Sequence, residues 1–141
     1  MNGNNPPRID VLLVEDNEGD IGLFREGLNA IGASLTLHVA TDGIQAMNFL
    51  RQKKPKPQLI VLDLNIPGMN GYEVLEQVKQ DAELKEVPVV IFSSSGAARD
   101  VKTAYRLQAN SFVRKPMDVD EFFNAVASIE RFWTRTASLP V

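Results

Sequence analysis

The residues best placed to do chemistry in this chain are Glu15 and Asp16, Asp63 with Asn65 two positions on, Ser93, and Lys115. Each ends or follows a short run of Val, Ile and Leu. Carboxylates gathered at one place repel one another unless a cation sits among them. An all-oxygen set without His or Cys suits Mg2+ or Mn2+ better than zinc. A hydroxyl and an ammonium beside that cation complete what a phosphoryl group in flight requires: a nucleophile, a metal bridging its oxygens, and donors for the charge spread over them. Ser93 has no adjacent base, so the nucleophile is expected to be a carboxylate, as in aspartyl-phosphate chemistry.

These residues meet only if the elements between them bring them together. Ile9 to Val14, Leu35 to Ala40, Leu59 to Leu64, Val87 to Phe92 and Ser111 to Val113 read as strands. Their apolar residues fall on both faces, as in a parallel sheet covered by helices on each side. Between them apolar residues recur at helical spacing: Ile21, Phe24, Leu28 and Ile31; Ile44, Met47 and Leu50; Val74, Leu75 and Val78; Val101, Ala104 and Tyr105. A last helix starts at Asp118, with Glu121 three residues on, and carries Phe122, Val126, Ile129 and Trp133. This α/β alternation predicts a flavodoxin-like (βα)5 fold, a parallel five-stranded sheet in the order 2-1-3-4-5 with helices on both faces. Ligands bind such sheets where the winding reverses, here just after Val14 and just after Leu62.

The chain has 141 residues, 44% hydrophobic and 23% charged, the length and balance of one globular domain. No apolar run approaches the ~20 residues that cross a bilayer, and the start lacks the order of a secretory signal, so a cytoplasmic protein with no membrane contact is expected. The absence of cysteine excludes disulfides and thiolate chemistry. A net charge of -3 argues against a nucleic-acid partner. Residues 1–8, with Pro6 and Pro7, read as a disordered lead-in, 9–131 as the domain, and 132–141 as a C-terminal extension.

Glu15-Asp16 after strand 1, the run Asp63-Leu64-Asn65-Ile66-Pro67-Gly68-Met69-Asn70-Gly71, Ser93 after strand 4 and Lys115-Pro116 after strand 5 together resemble the receiver-domain pattern of bacterial response regulators. The match runs from about Ile9 to Ile129. It implies that Asp63 is the phosphoacceptor for a sensor histidine kinase, and that Glu15, Asp16, Asp63 and the Asn65 backbone carbonyl hold Mg2+. It further implies that Ser93 and Lys115 bind the phosphoryl oxygens and that Phe112 is the aromatic switch. Glu15 and Ser93 stand where many receivers have Asp and Thr, variants that leave this chemistry intact. The tail Ile129-Glu130-Arg131-Phe132-Trp133, followed by Leu139-Pro140, is similar to that of single-domain regulators serving phytochrome-type light-sensing kinases.

An aspartate-nucleophile, Mg2+-dependent phosphohydrolase of the haloacid dehalogenase type would use similar groups. It requires a second Asp two positions after the nucleophile, where this chain has Asn65, so turnover of external substrates is not expected. A pseudo-receiver binding module would lack part of the set, and the acidic loop after strand 1 is ill suited to a flavin phosphate. His38 sits in the strand 2 pattern and reads as structural; Gly68 and Gly71 read as a flexible turn. Phe132, Trp133 and Leu139 run past the predicted domain, and a homodimer that covers them is expected.

Overall fold

Side chains alternate across a strand, so a run that is apolar at every position must bury two faces. The computed structural model, which describes residues 8–140, meets that demand with a parallel five-stranded sheet in the order β2-β1-β3-β4-β5. The strands are β1 (Ile9–Val14), β2 (Leu35–Ala40), β3 (Leu59–Leu62), β4 (Val89–Ser93) and β5 (Ser111–Arg114). They alternate with α1 (Glu18–Ala30), α2 (Gly43–Gln52), α3 (Gly71–Gln80), α4 (Ala98–Arg106) and α5 (Val119–Arg131). Leu12, Val14, Ile60, Leu62 and Ile91 pack with α2, α3 and α4 on one face. Val11, Leu13, Val61, Val90 and Phe92 pack with α1 and α5 on the other. At Gly27 α1 lies close against α5, since a Cβ on it would lie 3.2 Å from Val126.

The predicted fold and strand order are those observed, with shifts at element ends. β3 stops at Leu62 rather than Leu64: the Asp63 amide still donates to the Val14 carbonyl at 3.0 Å, after which the chain turns. β4 begins at Val89 rather than Val87, because Pro88 has no amide to offer a ladder, and it runs on through Ser93. α1 ends at Ala30, with Ile31 capping it. Ile44 and Tyr105, read as apolar-stripe residues, face solvent. The Tyr105 hydroxyl instead accepts a hydrogen bond from the Phe112 amide at 3.1 Å.

α5 begins as predicted, with the Asp118 side chain accepting from the Glu121 amide at 2.9 Å. It ends at Arg131 and passes into a π-helical turn, Phe132–Thr136. Buried Glu130 ties that turn down, accepting from Thr134 Oγ1 at 3.0 Å and Arg135 Nε at 3.2 Å. Trp133 packs against the α1/α5 side of the core, whereas Phe132 is 51% exposed. The chain then returns toward the N-terminal ends of the strands, where Pro140 lines a cavity of about 180 Å3 with Pro57 and Val87. Of the predicted lead-in, only Arg8 is among the described residues; its guanidinium donates to the Leu35 carbonyl at 3.0 Å.

Candidate functional site

β1 and β3 are adjacent, with Val14 opposite Leu62, so the residues that follow them emerge side by side. Glu15 is fixed by its amide, which donates to the Ala40 carbonyl at 2.9 Å, and Asp63 by the bond from its amide to Val14. Both carboxylates are buried, while Asp16 on the same loop is exposed. One oxygen from each of Glu15, Asp16 and Asp63 lies within 4.8 Å of the others, close enough to share one hard cation. The Asn65 amide donates to Asp63 Oδ1 at 3.2 Å and orients that carboxylate.

Glycine is required beside this site for a reason other than flexibility. Gly71 is buried, and a Cβ there would lie 2.4 Å from the Asp63 carbonyl and 2.5 Å from Leu64 Cα. The N-terminus of α3 therefore presses directly on the backbone that presents Asp63. The reading of Gly71 as a flexible turn gives way to a packed contact. Gly68, at φ +71, does occupy the left-handed region that favours glycine.

Lys115 follows β5, and its amide donates to the Ser93 carbonyl at 2.7 Å, which aims the side chain across the sheet edge. Its ammonium meets Glu15 Oε1 at 2.5 Å, Asp20 Oδ2 at 2.9 Å and Asp63 Oδ2 at 2.9 Å. Burial works against that charge, but donation to Glu15, Asp20 and Asp63 outweighs it and holds the pKa above the ordinary lysine value. Glu15 is driven toward its neutral form: burial, with the Asp63 charge adding, pushes its pKa up to about 7 although Lys115 opposes the shift. A single buried ammonium thus serves three carboxylates, and the crevice is short of positive charge. The donor set and the deficit both fit a divalent cation.

Ser93 is fully buried at the end of β4 and shares the same sheet edge. Its Oγ accepts from the Ser95 amide at 3.4 Å. The Ser95 hydroxyl donates to Asp100 Oδ2 at 2.5 Å, and the Tyr72 hydroxyl donates to Asp100 Oδ1 at 2.7 Å. The hydrogen bonds from Ser95 and Tyr72 hold the Asp100 carboxyl below its usual range. Burial, together with the Asp100 hydrogen bond and charge, raises Tyr72 to about 12. The loop after β4 is thereby tied to both α3 and α4. Phe112, half-buried, packs against the core on the α2, α3 and α4 face. His38 lies at mid-strand opposite Leu12, where Nε2 is 2.9 Å from Asp10 Oδ1 and the ring sits 5.0 Å from that of Phe49.

The structure brings Glu15, Asp16, Asp63, Ser93 and Lys115 to one edge, with Asn65 adjoining. Asp20 also reaches this edge, and reading of the sequence had passed over it. The signal was present: Asn17 caps α1, its side chain accepting from the Asp20 amide at 3.0 Å, so Asp20 stands in the first turn of the helix that leaves the acidic loop.

The winding of the sheet and this constellation at its reversal define a receiver domain. The family model for the response regulator receiver domain matches residues 11–127, and the chain belongs to that family. It is 40% identical to the response regulator Rcp1 of Synechocystis, with 96% of this chain and 95% of that protein covered. The crystal structure of the phosphorylated cyanobacterial phytochrome response regulator RcpA superposes with a TM-score of 0.90 at 38% identity, covering 96% of this chain and all of that one. The Mn2+-bound form of Rcp1 superposes with a TM-score of 0.89, at the same identity and with 96% of this chain covered. Asp63 therefore lies in a domain that serves two-component signalling as a phosphoacceptor module.

Proposed function

We propose that Asp63 accepts a phosphoryl group from the phosphohistidine of a sensor kinase. The observation that carries this is the convergence of Lys115 on Asp63 within a buried, charge-deficient crevice. A carboxylate oxygen of Asp63 forms the new P–O bond in line as the P–N bond to the imidazole breaks, and the departing imidazole nitrogen keeps the electron pair and takes up a proton. Lys115 transfers a donor from the Asp63 oxygen to the phosphoryl oxygens, and the Ser93 hydroxyl supplies another. Glu15, Asp16, Asp63 and the Asn65 carbonyl are the groups that would hold Mg2+, which offsets charge on those oxygens when bound. Asn65 offers no general acid for turnover of external substrates, so the phosphorylated state is a signal rather than an intermediate.

The similarity to Rcp1 and to the phytochrome regulator RcpA supports a light-sensing phytochrome-type kinase as the donor. Among the described residues no helix is long and apolar enough to cross a membrane, which agrees with a cytoplasmic site of action. Residues 9–131 form the receiver in this reading and 132–141 an extension that serves a homodimer. Supporting the dimer is a groove of about 580 Å3 between β5, at the sheet edge, and α5, bordered by Val113, Ile129, Phe132 and Trp133. Incubation with acetyl phosphate and Mg2+, followed by intact mass spectrometry, should show one added phosphoryl in the wild type and none in Asp63→Asn. Equal labelling of the two would remove the assignment. Light scattering on the full chain and on one ending at Arg131 tests the dimer, which a full-length monomer at tens of micromolar would exclude.

A further inference from the structure

We infer that Asp20 is a positioning residue for Lys115, the tether that keeps the ammonium in the crevice when its other two partners are taken up. This rests on the reading of Asp63 as phosphoacceptor beside a divalent cation. Lys115 has three N–H donors and three carboxylate partners, Glu15, Asp20 and Asp63. Two of these, Glu15 and Asp63, belong with Asp16 to the set whose oxygens cluster for a cation. A cation bound there draws on both, and phosphorylation turns an Asp63 oxygen into the bridging oxygen of an acyl phosphate. Asp20 stands outside that cluster, so neither event competes for it.

The backbone places Asp20 within reach of this task. Its amide is held by the Asn17 side chain in the first turn of α1, where the helix dipole favours a carboxylate. Its side chain is 29% exposed at the mouth of the crevice, while that of Lys115 is 6% exposed, so the carboxylate grips the lysine from the solvent side. Lys115 is thereby held between the interior and the mouth. Without Asp20 the ammonium has only partners that the cation and the phosphoryl chemistry claim, and it should swing outward when Mg2+ arrives.

The test is amine footprinting of the full chain with acetic anhydride, read by peptide mass spectrometry at Lys115 with and without saturating Mg2+. Wild-type Lys115 should stay protected in both conditions. Lys115 in Asp20→Ala should acetylate roughly tenfold faster, or more, once Mg2+ is added, the change expected for loss of one charge-assisted hydrogen bond. Asp20→Glu should restore protection. Labelling of Lys115 in Asp20→Ala at the wild-type rate in Mg2+, including no labelling in either, overturns the inference. The same samples report Asp63 phosphorylation from acetyl phosphate. A wild type that takes no phosphoryl defeats the phosphoacceptor reading itself, a failure distinct from a wild type that is phosphorylated and an Asp20→Ala that keeps Lys115 covered.

Discussion

Two lysines, Lys115 buried and Lys79 half-buried, stand at opposite ends of the same sheet, and their surroundings make them different groups. Lys115, at the C-terminal edge, meets three carboxylates and has a raised pKa. Lys79, at the N-terminal edge, donates to the Val87 carbonyl at 3.0 Å, the Asn110 amide oxygen at 2.9 Å and the Lys85 carbonyl at 3.3 Å. Among the described residues no carboxylate answers its charge, and burial lowers its pKa. Lys79 ties the start of β4 to the turn before β5, for Asn110 Oδ1 also accepts from the Val89 amide at 2.8 Å. Lys115 holds together carboxylates that would otherwise repel. An ammonium among neutral carbonyls is a clamp, whereas one among competing carboxylates can change partners, and partner exchange is what a switch needs.

Breaking the charged end should have the larger effect. Lys115→Met leaves Glu15, Asp20 and Asp63 without their shared cation and should cost the metal-free protein about 3–5 kcal/mol at neutral pH. Urea titration measures this, and saturating Mg2+ should recover part of the loss because the ion binds only the folded chain.

The pH dependence of the same crevice comes next. Glu15 has a folded pKa near 7 against an ordinary 4.5, so the native state holds its proton more tightly than the unfolded chain. A raised carboxyl pKa makes its contribution most favourable in acid. That contribution falls as pH rises from about 4.5 through 7, by on the order of 3 kcal/mol. Melting curves of the metal-free protein should show that fall, Glu15→Gln should flatten it, and Mg2+ should diminish it.

Lys79→Met should cost about 1–3 kcal/mol, chiefly through loss of the charge-assisted bond to the part-buried Val87 carbonyl. The alkaline side sharpens the contrast. Lys79, with its lowered pKa, becomes more favourable as pH climbs through that value toward 10.5, so the cost of replacing it should grow. Lys115 keeps its full benefit below 10.5 and loses it as pH passes its raised value, so the cost of replacing it should shrink. Penalties that run in parallel would break the comparison.

The smallest effect is expected at the loop that joins the site to the outer helices. Tyr72→Phe removes the bond to Asp100 and should cost about 0.5–1.5 kcal/mol in urea titration while leaving Asp63 phosphorylation intact.

Much of this protein could be read from residue types in order. Two-sided apolar runs separated by helical periodicity specify a parallel sheet with helices on both faces, because each run has two surfaces to bury. The acidic pair, Asp63, Ser93 and Lys115 each follow or end a strand, and parallel strands place all such positions at one edge. Element ends were less legible. Where β3 yields to its turn depends on hydrogen bonds to neighbours distant in sequence, whereas the late start of β4 follows from Pro88 itself, which has no amide to give.

Packing decided the rest. The sequence shows Gly71 only as a glycine in a loop; its necessity arises because α3 lies against the Asp63 backbone. Trp133 reads as surplus apolar surface until a π-helical turn, held by Glu130, folds it onto its own domain. Asp20 reads as a solvated helix charge until α1 is docked and the residue comes within 2.9 Å of a lysine 95 positions away. Strand pattern is a local consequence of burial, whereas which charges share a lysine depends on distances that exist only once separate elements have packed together.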